Sequence, residues 1–200
     1  MSEQPSTLRV LVAEDNALER STLVDLLGVL GHVVVAEVES GTDAIAKAQQ
    51  FTPDAVLLDM HMPGATGVQA AEEIASALPG TAVVLITGDL SLTLSTADVL
   101  RSTAVALLPK PTPPTTLDAT LRMAVTRARE LIEARREAAE AKQQLEARKL
   151  IERAKGILMR RTGSSEQEAY RIMQRSSQDR SVRMVDIAKA VIDSEPGMKS

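Results

Sequence analysis

Four apolar runs of this chain each lead to polar residues suited to phosphoryl chemistry. Glu14 and Asp15 follow residues 8–13, Asp59 follows 55–58, Thr87 follows 82–86, and Lys110 comes shortly after 105–108. In an open parallel α/β sheet the carboxyl ends of the strands line one edge, and ligands bind in the crevice there. Such a sheet would bring three carboxylates, a hydroxyl and an ammonium to one crevice. Acids that close repel unless something neutralises them. A hard divalent cation such as Mg²⁺ takes oxygen ligands and keeps waters that a phosphate can replace. Lys110 and Thr87 would then face an incoming phosphoryl group.

The elements that must position these groups are legible along the chain. Asn16 is suited to cap a helix with apolar positions Leu23, Leu26, Leu27 and Leu30, ended by Gly31. Residues 32–38 read as a strand. Ala44, Ile45, Ala48 and Phe51 mark the buried side of a second helix stopped by Pro53, residues 68–78 a third stopped by Pro79-Gly80, and 91–100 a poorer fourth. The apolar runs 33–35, 55–58 and 82–86 lack alternation, which predicts strands buried on both faces. Right-handed crossovers then give an α/β fold with a doubly wound, five-stranded parallel sheet.

After the proline-rich stretch 109–114, residues 115–150 contain no Gly or Pro and consist mostly of helix formers. They predict one helix about 54 Å long. Leu117, Leu121, Ala124, Ala128, Leu131, Arg135, Ala138, Lys142 and Leu145 recur in steps of four and three, a coiled-coil rhythm with two basic interruptions. Three short helices close the chain as a small all-α domain. Leu150, Ala154, Ile157 and Leu158 stripe the first. Ser164 with Gln167, or Ser165 with Glu168, makes a capping box for the second, whose inner face is Ala169, Ile172, Met173 and Ser176. Ser181 caps the third, with Met184, Ile187, Ala188 and Val191 inside. The expected division is a disordered 1–7, an α/β domain at 8–120, a helical linker at 121–148 and the small domain at 149–195.

Composition narrows the function. The chain has no cysteine, which excludes disulfides and thiol chemistry, and its only aromatics are Phe51 and Tyr170. No signal-peptide pattern or membrane-length apolar run is present, which predicts a cytoplasmic protein with no membrane partner. Residues 1–120 carry 5 Lys/Arg against 15 Asp/Glu, and residues 121–200 carry 18 against 12. An acidic module therefore precedes a basic one that meets something anionic.

Residues 8 to about 120 resemble a two-component receiver domain, through Glu14-Asp15, Asp59, Met62-Pro63, Gly67, Thr87 and Lys110-Pro111. The resemblance implies that Asp59 is the phosphoacceptor. Glu14, Asp15, Asp59 and the backbone carbonyl of His61 would hold Mg²⁺. Thr87 would act as switch hydroxyl, Lys110 would pair with phosphate, and the peptide before Pro111 would be cis. The sequence departs from the family at Leu107, where a switch aromatic is usual, and at Thr66, Thr103 and Pro109. A phosphatase of similar sheet would need an acid where His61 stands, so a regulator rather than an enzyme is expected.

A second resemblance lies in the run Ala154-Lys155-Gly156-Ile157-Leu158-Met159, with Glu168-Ala169-Tyr170, Ser177-Gln178 and Val185-Asp186-Ile187-Ala188 behind it. This region is similar to the ANTAR domain, the RNA-binding module of transcription antiterminators. It implies a response regulator that takes phosphate from a sensor histidine kinase and controls RNA stem-loop binding and antitermination, as a homodimer when phosphorylated or RNA-bound. The candidate RNA contacts are Lys155, Arg160, Arg161, Tyr170, Arg175 and Arg180. The alternative is a DNA-binding response regulator, since three small helices could form a helix-turn-helix.

Overall fold

A computed structural model describes residues 7–88 and 105–195. The fourth helix expected at 91–100, Thr103 and most of the expected disordered N-terminus lie outside the described residues. The chain divides into two compact units, residues 1–134 and 135–200.

The first unit runs β1 (Arg9–Ala13), α1 (Ala17–Val29), β2 (Val33–Val38), α2 (Gly41–Phe51), β3 (Ala55–Asp59), α3 (Gly67–Ala77), β4 (Ala82–Thr87) and β5 (Val105–Pro109), followed by the start of α4 (Pro114–Thr162). All strand pairs are parallel, in the order β2-β1-β3-β4-β5. β1, β3 and β4 are therefore central, and β3 and β4 are buried along their whole length. The expectation that 33–35 is buried on both faces is overturned. β2 is an edge strand, and Val33 is exposed because no described strand flanks it on the outer side.

The sheet's two faces carry separate cores. On one, Val10, Val12, Leu57, Val84 and Ile86 meet Leu27 of α1 and Leu117, Leu121, Ala124, Val125 and Ala128 of α4. On the other, Leu11, Val56, Leu58 and Leu85 meet Ala44 and Ala48 of α2 and Ala70, Ala71 and Ile74 of α3. The first positions of the four-three rhythm are thus packed on the sheet, so a coiled-coil seam cannot start before Leu131. A buried histidine joins this packing. His32 accepts the Leu8 N–H at Nδ1 (3.3 Å), and its Nε2 lies 3.0 Å from Asp118 of α4, which also binds Arg122.

Helix starts obey local chemistry. Asn16 accepts the N–H groups of Leu18 and Glu19, and Ser40 accepts that of Asp43. Thr66 and Gln69 form a reciprocal capping box.

The second unit contains the rest of α4, then α5 (Glu166–Arg180) and α6 (Met184–Asp193). The run of residues 149–159, expected as a separate helix, continues α4 without a break until Gly163 at φ +67 ends it. Ser165 and Glu168 form the capping box of α5. Ser181 does not cap the third helix. It adopts the left-handed conformation (φ 52) that ends α5, and Arg183 takes the N-cap position of α6 without a side-chain bond. The core is small: Ala154, Met173, Ile187 and Ala188, flanked by Leu150, Ile151, Leu158, Met184, Val191 and Ile192, with Ile157 and Ala169 also fully buried. Ile172, expected inside, is exposed. No described helix is long and apolar enough to cross a membrane.

Candidate functional site

The site sits at the carboxyl ends of β1, β3, β4 and β5. Asp59 is the last residue of central β3. Its Oδ1 lies 2.7 Å from Lys110 Nζ, and its Oδ2 accepts the His61 N–H at 2.8 Å. The loop behind it is pinned from two sides, by the Met60 N–H on Ile86 O and the Gly67 N–H on Met60 O. Gly67 has a packing reason to be glycine. A Cβ there would stand 2.2 Å from Asp59 O and 2.9 Å from Met60 Cα, both backbone atoms.

Glu14 and Asp15 arrive on the β1–α1 turn, held by the Glu14 N–H on Val38 O. Arg20 fixes that turn from α1. It donates to Glu14 O at 2.7 Å and pairs with Glu39 at 2.8 Å. Glu14 is buried and Asp15 exposed. One carboxylate oxygen each from Glu14, Asp15 and Asp59 fall within 4.8 Å of one another. Three hard oxygen donors with no sulfur or imidazole suit a hard divalent cation.

Lys110 neutralises the cluster from the far side. Its main-chain N–H donates to Thr87 O at 2.7 Å, which ties the end of β5 to the end of β4. Its ammonium lies 2.7 Å from Glu14, Asp59 and Glu19 alike. These contacts set the electrostatics. Burial, with help from the Asp59 charge, pushes the Glu14 carboxyl above the usual carboxylate range against the pull of Lys110. For Lys110, burial pulls the ammonium down, but its hydrogen bonds to Asp59, Glu14 and Glu19 outweigh it and hold the group above its ordinary value. Thr87 is buried at the end of β4, and the Lys110–Pro111 peptide is cis. His61 is exposed at the rim. Leu107 is half-buried against the α2–α3 core.

The structure thus brings Glu14, Asp15, Asp59, Thr87 and Lys110 to one edge, as their strand-end positions predict. Sequence reasoning passed over Glu19 and Arg20. Their spacing from Asp15 marks them only as residues of the first turns of a helix.

The RNA candidates in the second unit fare unevenly. Lys155 is nearly buried and pairs with Glu152 (2.8 Å) and with Glu166 of α5 (2.7 Å), which hold its ammonium above the usual range. It acts as a strut between helices. Arg160 pairs with Glu195 at 3.0 Å, and Arg161 donates to the Ser194 hydroxyl at 2.9 Å. Tyr170 is 45% exposed and outside the core, although it adjoins the apolar stripe in sequence. With Arg171 it lines a hollow that also holds Lys155, Gln167 and Gln174. Arg171, four residues from Arg175 and on the same face of α5, lines a second hollow with it beside Thr162, Gly163 and Ser164. Arg180 is exposed at the end of α5.

Comparison with known proteins agrees with both halves. The response regulator receiver domain family matches residues 10–122, and the ANTAR domain family matches residues 139–192. The transcriptional regulatory protein PdtaR of Mycobacterium tuberculosis is 36% identical over 189 residues, covering 92% of this chain and 89% of that one. The signal receiver domain of the putative response regulator NarL from the same organism superposes with TM-score 0.53 at 31% identity, over 62% of this chain and 98% of that one. The receiver domain of a sensor histidine kinase from Pseudomonas aeruginosa, solved with a magnesium ion in its active site cleft, shares the fold. Its TM-score is 0.53 at 23% identity, over 60% of this chain and 99% of that one.

Proposed function

This chain belongs to the response regulators that join a receiver domain to an ANTAR domain, and from that membership we propose that phosphorylation of Asp59 by a sensor histidine kinase controls RNA stem-loop binding and transcription antitermination. One observation carries the reading. Asp59 ends a central strand with Lys110 at 2.7 Å and with Glu14 and Asp15 near enough to share one cation.

Glu14, Asp15, Asp59 and the His61 carbonyl would hold Mg²⁺, which screens the charge of two anions as they meet. An Asp59 oxygen attacks the phosphorus of the donor, the donor's P–X bond breaks, and the leaving group departs with the electron pair. The His61 N–H orients Asp59 by holding its second oxygen. Lys110 supplies positive charge where the phosphoryl oxygens arrive. Thr87, at the neighbouring strand end, is the hydroxyl that senses them. Leu107 in place of an aromatic shifts the transmission of the signal toward Lys110, the proline stretch and α4. The protein acts as a cytoplasmic regulator without catalytic output of its own, and it self-associates when phosphorylated or RNA-bound.

On the RNA side, Tyr170, Arg171, Arg175 and Arg180 form the open part of α5. Arginines position a phosphate backbone, and an exposed aromatic stacks on an unpaired base. Arg160 and Arg161 join them once RNA displaces Ser194 and Glu195, while Lys155 contributes by holding α4 and α5 together.

Acetyl phosphate with Mg²⁺ should add about 80 Da, one phosphoryl group, to the wild type and nothing to Asp59→Asn. An equal adduct on the variant would refute the assignment. Competition at fixed salt tests the output. Stem-loop RNA should displace bound RNA far better than duplex DNA does, Tyr170→Ala should lower loop preference, and Arg175→Ala should weaken all RNAs alike. Equal competition by duplex DNA would favour the DNA-binding alternative.

A further inference from the structure

The resting site leaves no Lys110 N–H for a phosphoryl group. An ammonium has three, and Lys110 directs them to Glu14, Asp59 and Glu19, each at 2.7 Å. Glu14 and Asp59 belong to the metal and phosphoryl chemistry. Glu19 does not. It lies three residues after the N-cap Asn16, where an acid ordinarily turns back to the N–H of the cap residue. Gln69 does this toward Thr66, and Glu168 toward Ser165. In α1 the Asn16 N–H is taken by Glu14 Oε1 at 3.3 Å instead, and Glu19 turns across to Lys110. Of the three partners Glu19 alone stands outside the metal and phosphoryl chemistry, and it is the most exposed. Its side chain is 47% exposed, against 2% for Glu14 and 7% for Asp59.

We propose that Glu19 is a positioning residue that holds Lys110 in the resting state and must release it before the phosphoryl group is bound. It thereby slows and weakens the loading of Asp59. The proposal rests on the reading of Asp59 as phosphoacceptor. During transfer an Asp59 oxygen forms the new O–P bond, the bond from phosphorus to the donor's leaving group breaks, and the phosphoryl oxygens keep their negative charge. One Lys110 N–H must turn to those oxygens. Glu14 and Asp59 stay in the site, on the cation and the phosphoryl group, whereas Glu19 swings into solvent. Until then its charge also opposes the approaching anion.

Beryllofluoride, which mimics an acyl phosphate, reads this directly. The full chain is titrated with it in the presence of Mg²⁺ and followed by ¹⁹F NMR, beside rates of phosphorylation by acetyl phosphate. Glu19→Gln should bind beryllofluoride about two- to five-fold more tightly and load phosphate faster by a similar factor, the range that a partly exposed ion pair supports. Glu19→Asp, whose carboxylate falls one methylene short of Lys110, should also bind more tightly than wild type. Structural damage would weaken binding, so a gain separates the two causes. If the wild type binds and either folded variant binds no more tightly, the role of Glu19 is overturned while Asp59 stands. If neither wild type nor variants bind, the Asp59 reading falls and takes the proposal with it.

Discussion

Replacing Lys110 with methionine tests whether the ammonium does the work of a cation in the resting site. The variant keeps the length and apolar stem of the side chain and removes its charge. Glu14 and Asp59 are buried and face each other, and Lys110 is the cation that touches both. Removing one partner of a buried pair costs about 3–5 kcal/mol. The Lys110 side chain is 22% exposed, which brings the expected cost down to roughly 2–3 kcal/mol. For a receiver unit of 134 residues that lowers the melting temperature by roughly 6–15 °C. Mg²⁺ should then act differently on the two proteins. In the wild type it would compete with Lys110 for Glu14 and Asp59. In the variant it meets three uncompensated carboxylates, binds more tightly, and at about a hundred times its Kd restores about 2.7 kcal/mol. Melting curves at neutral pH, with and without saturating Mg²⁺, should show a large loss in Lys110→Met that the metal mostly recovers, and a smaller metal effect on the wild type. A variant that melts with the wild type in the absence of Mg²⁺, or that gains no more from it, would refute the reasoning.

Other perturbations probe the packing behind Asp59 and the buried histidine pair. Gly67→Ala should destabilise the receiver unit by about 1–3 kcal/mol or more and abolish phosphorylation, because the new Cβ lies 2.2 Å from the Asp59 carbonyl oxygen. Gly28→Ala, with nothing within 4 Å, should instead stabilise α1 by up to about 1 kcal/mol; denaturant titration distinguishes them. Asp118 is held below the ordinary aspartate value of 3.8 by Arg122 and then by His32. A depressed folded-state pKa contributes stability above the unfolded value and loses it as pH falls through the folded one. The stability gap between wild type and Asp118→Asn, measured by urea titration, should therefore shrink at acid pH below 3.8.

The receiver site was legible because strand ends are a topological position. Once 55–58 and 82–86 read as parallel strands, Asp59 and Thr87 had to share an edge with Glu14 and Lys110. The features that escaped depend on side-chain direction or on strand order. The valines of β2 read like those of β4, and only pairing order tells an edge from a centre. Glu19 carries a capping-box spacing behind Asn16, and nothing in sequence says that Glu14 takes the bond Glu19 would make. His32 looks like a strand residue until α4 brings Asp118 to it. Ser181 and Arg183 show the same limit at a helix boundary, where the left-handed residue ending α5 displaced the expected cap of α6.

In helix α4, packing revises a periodicity and so changes the terms of assembly. The four-three rhythm begins at Leu117, yet Leu117, Leu121, Ala124 and Ala128 are spent on the sheet. From Leu131 onward the seam offers Leu131, Ala138 and Leu145, interrupted by Arg135 and Lys142, and the two leucines are 37% and 54% exposed. Burying the exposed part of both in two chains returns roughly 3–5 kcal/mol. Association itself costs about 4–15 kcal/mol. The seam alone does not hold a dimer, so a self-associated state needs a second contribution, and differential phosphate contacts of a few kcal/mol are of the right size. Sedimentation should therefore find the unphosphorylated chain monomeric at tens of micromolar and the phosphorylated chain dimeric. Leu145→Asp should abolish the second state and leave the first unchanged. A dimer that forms without phosphate and survives Leu145→Asp would place the interface elsewhere than on α4.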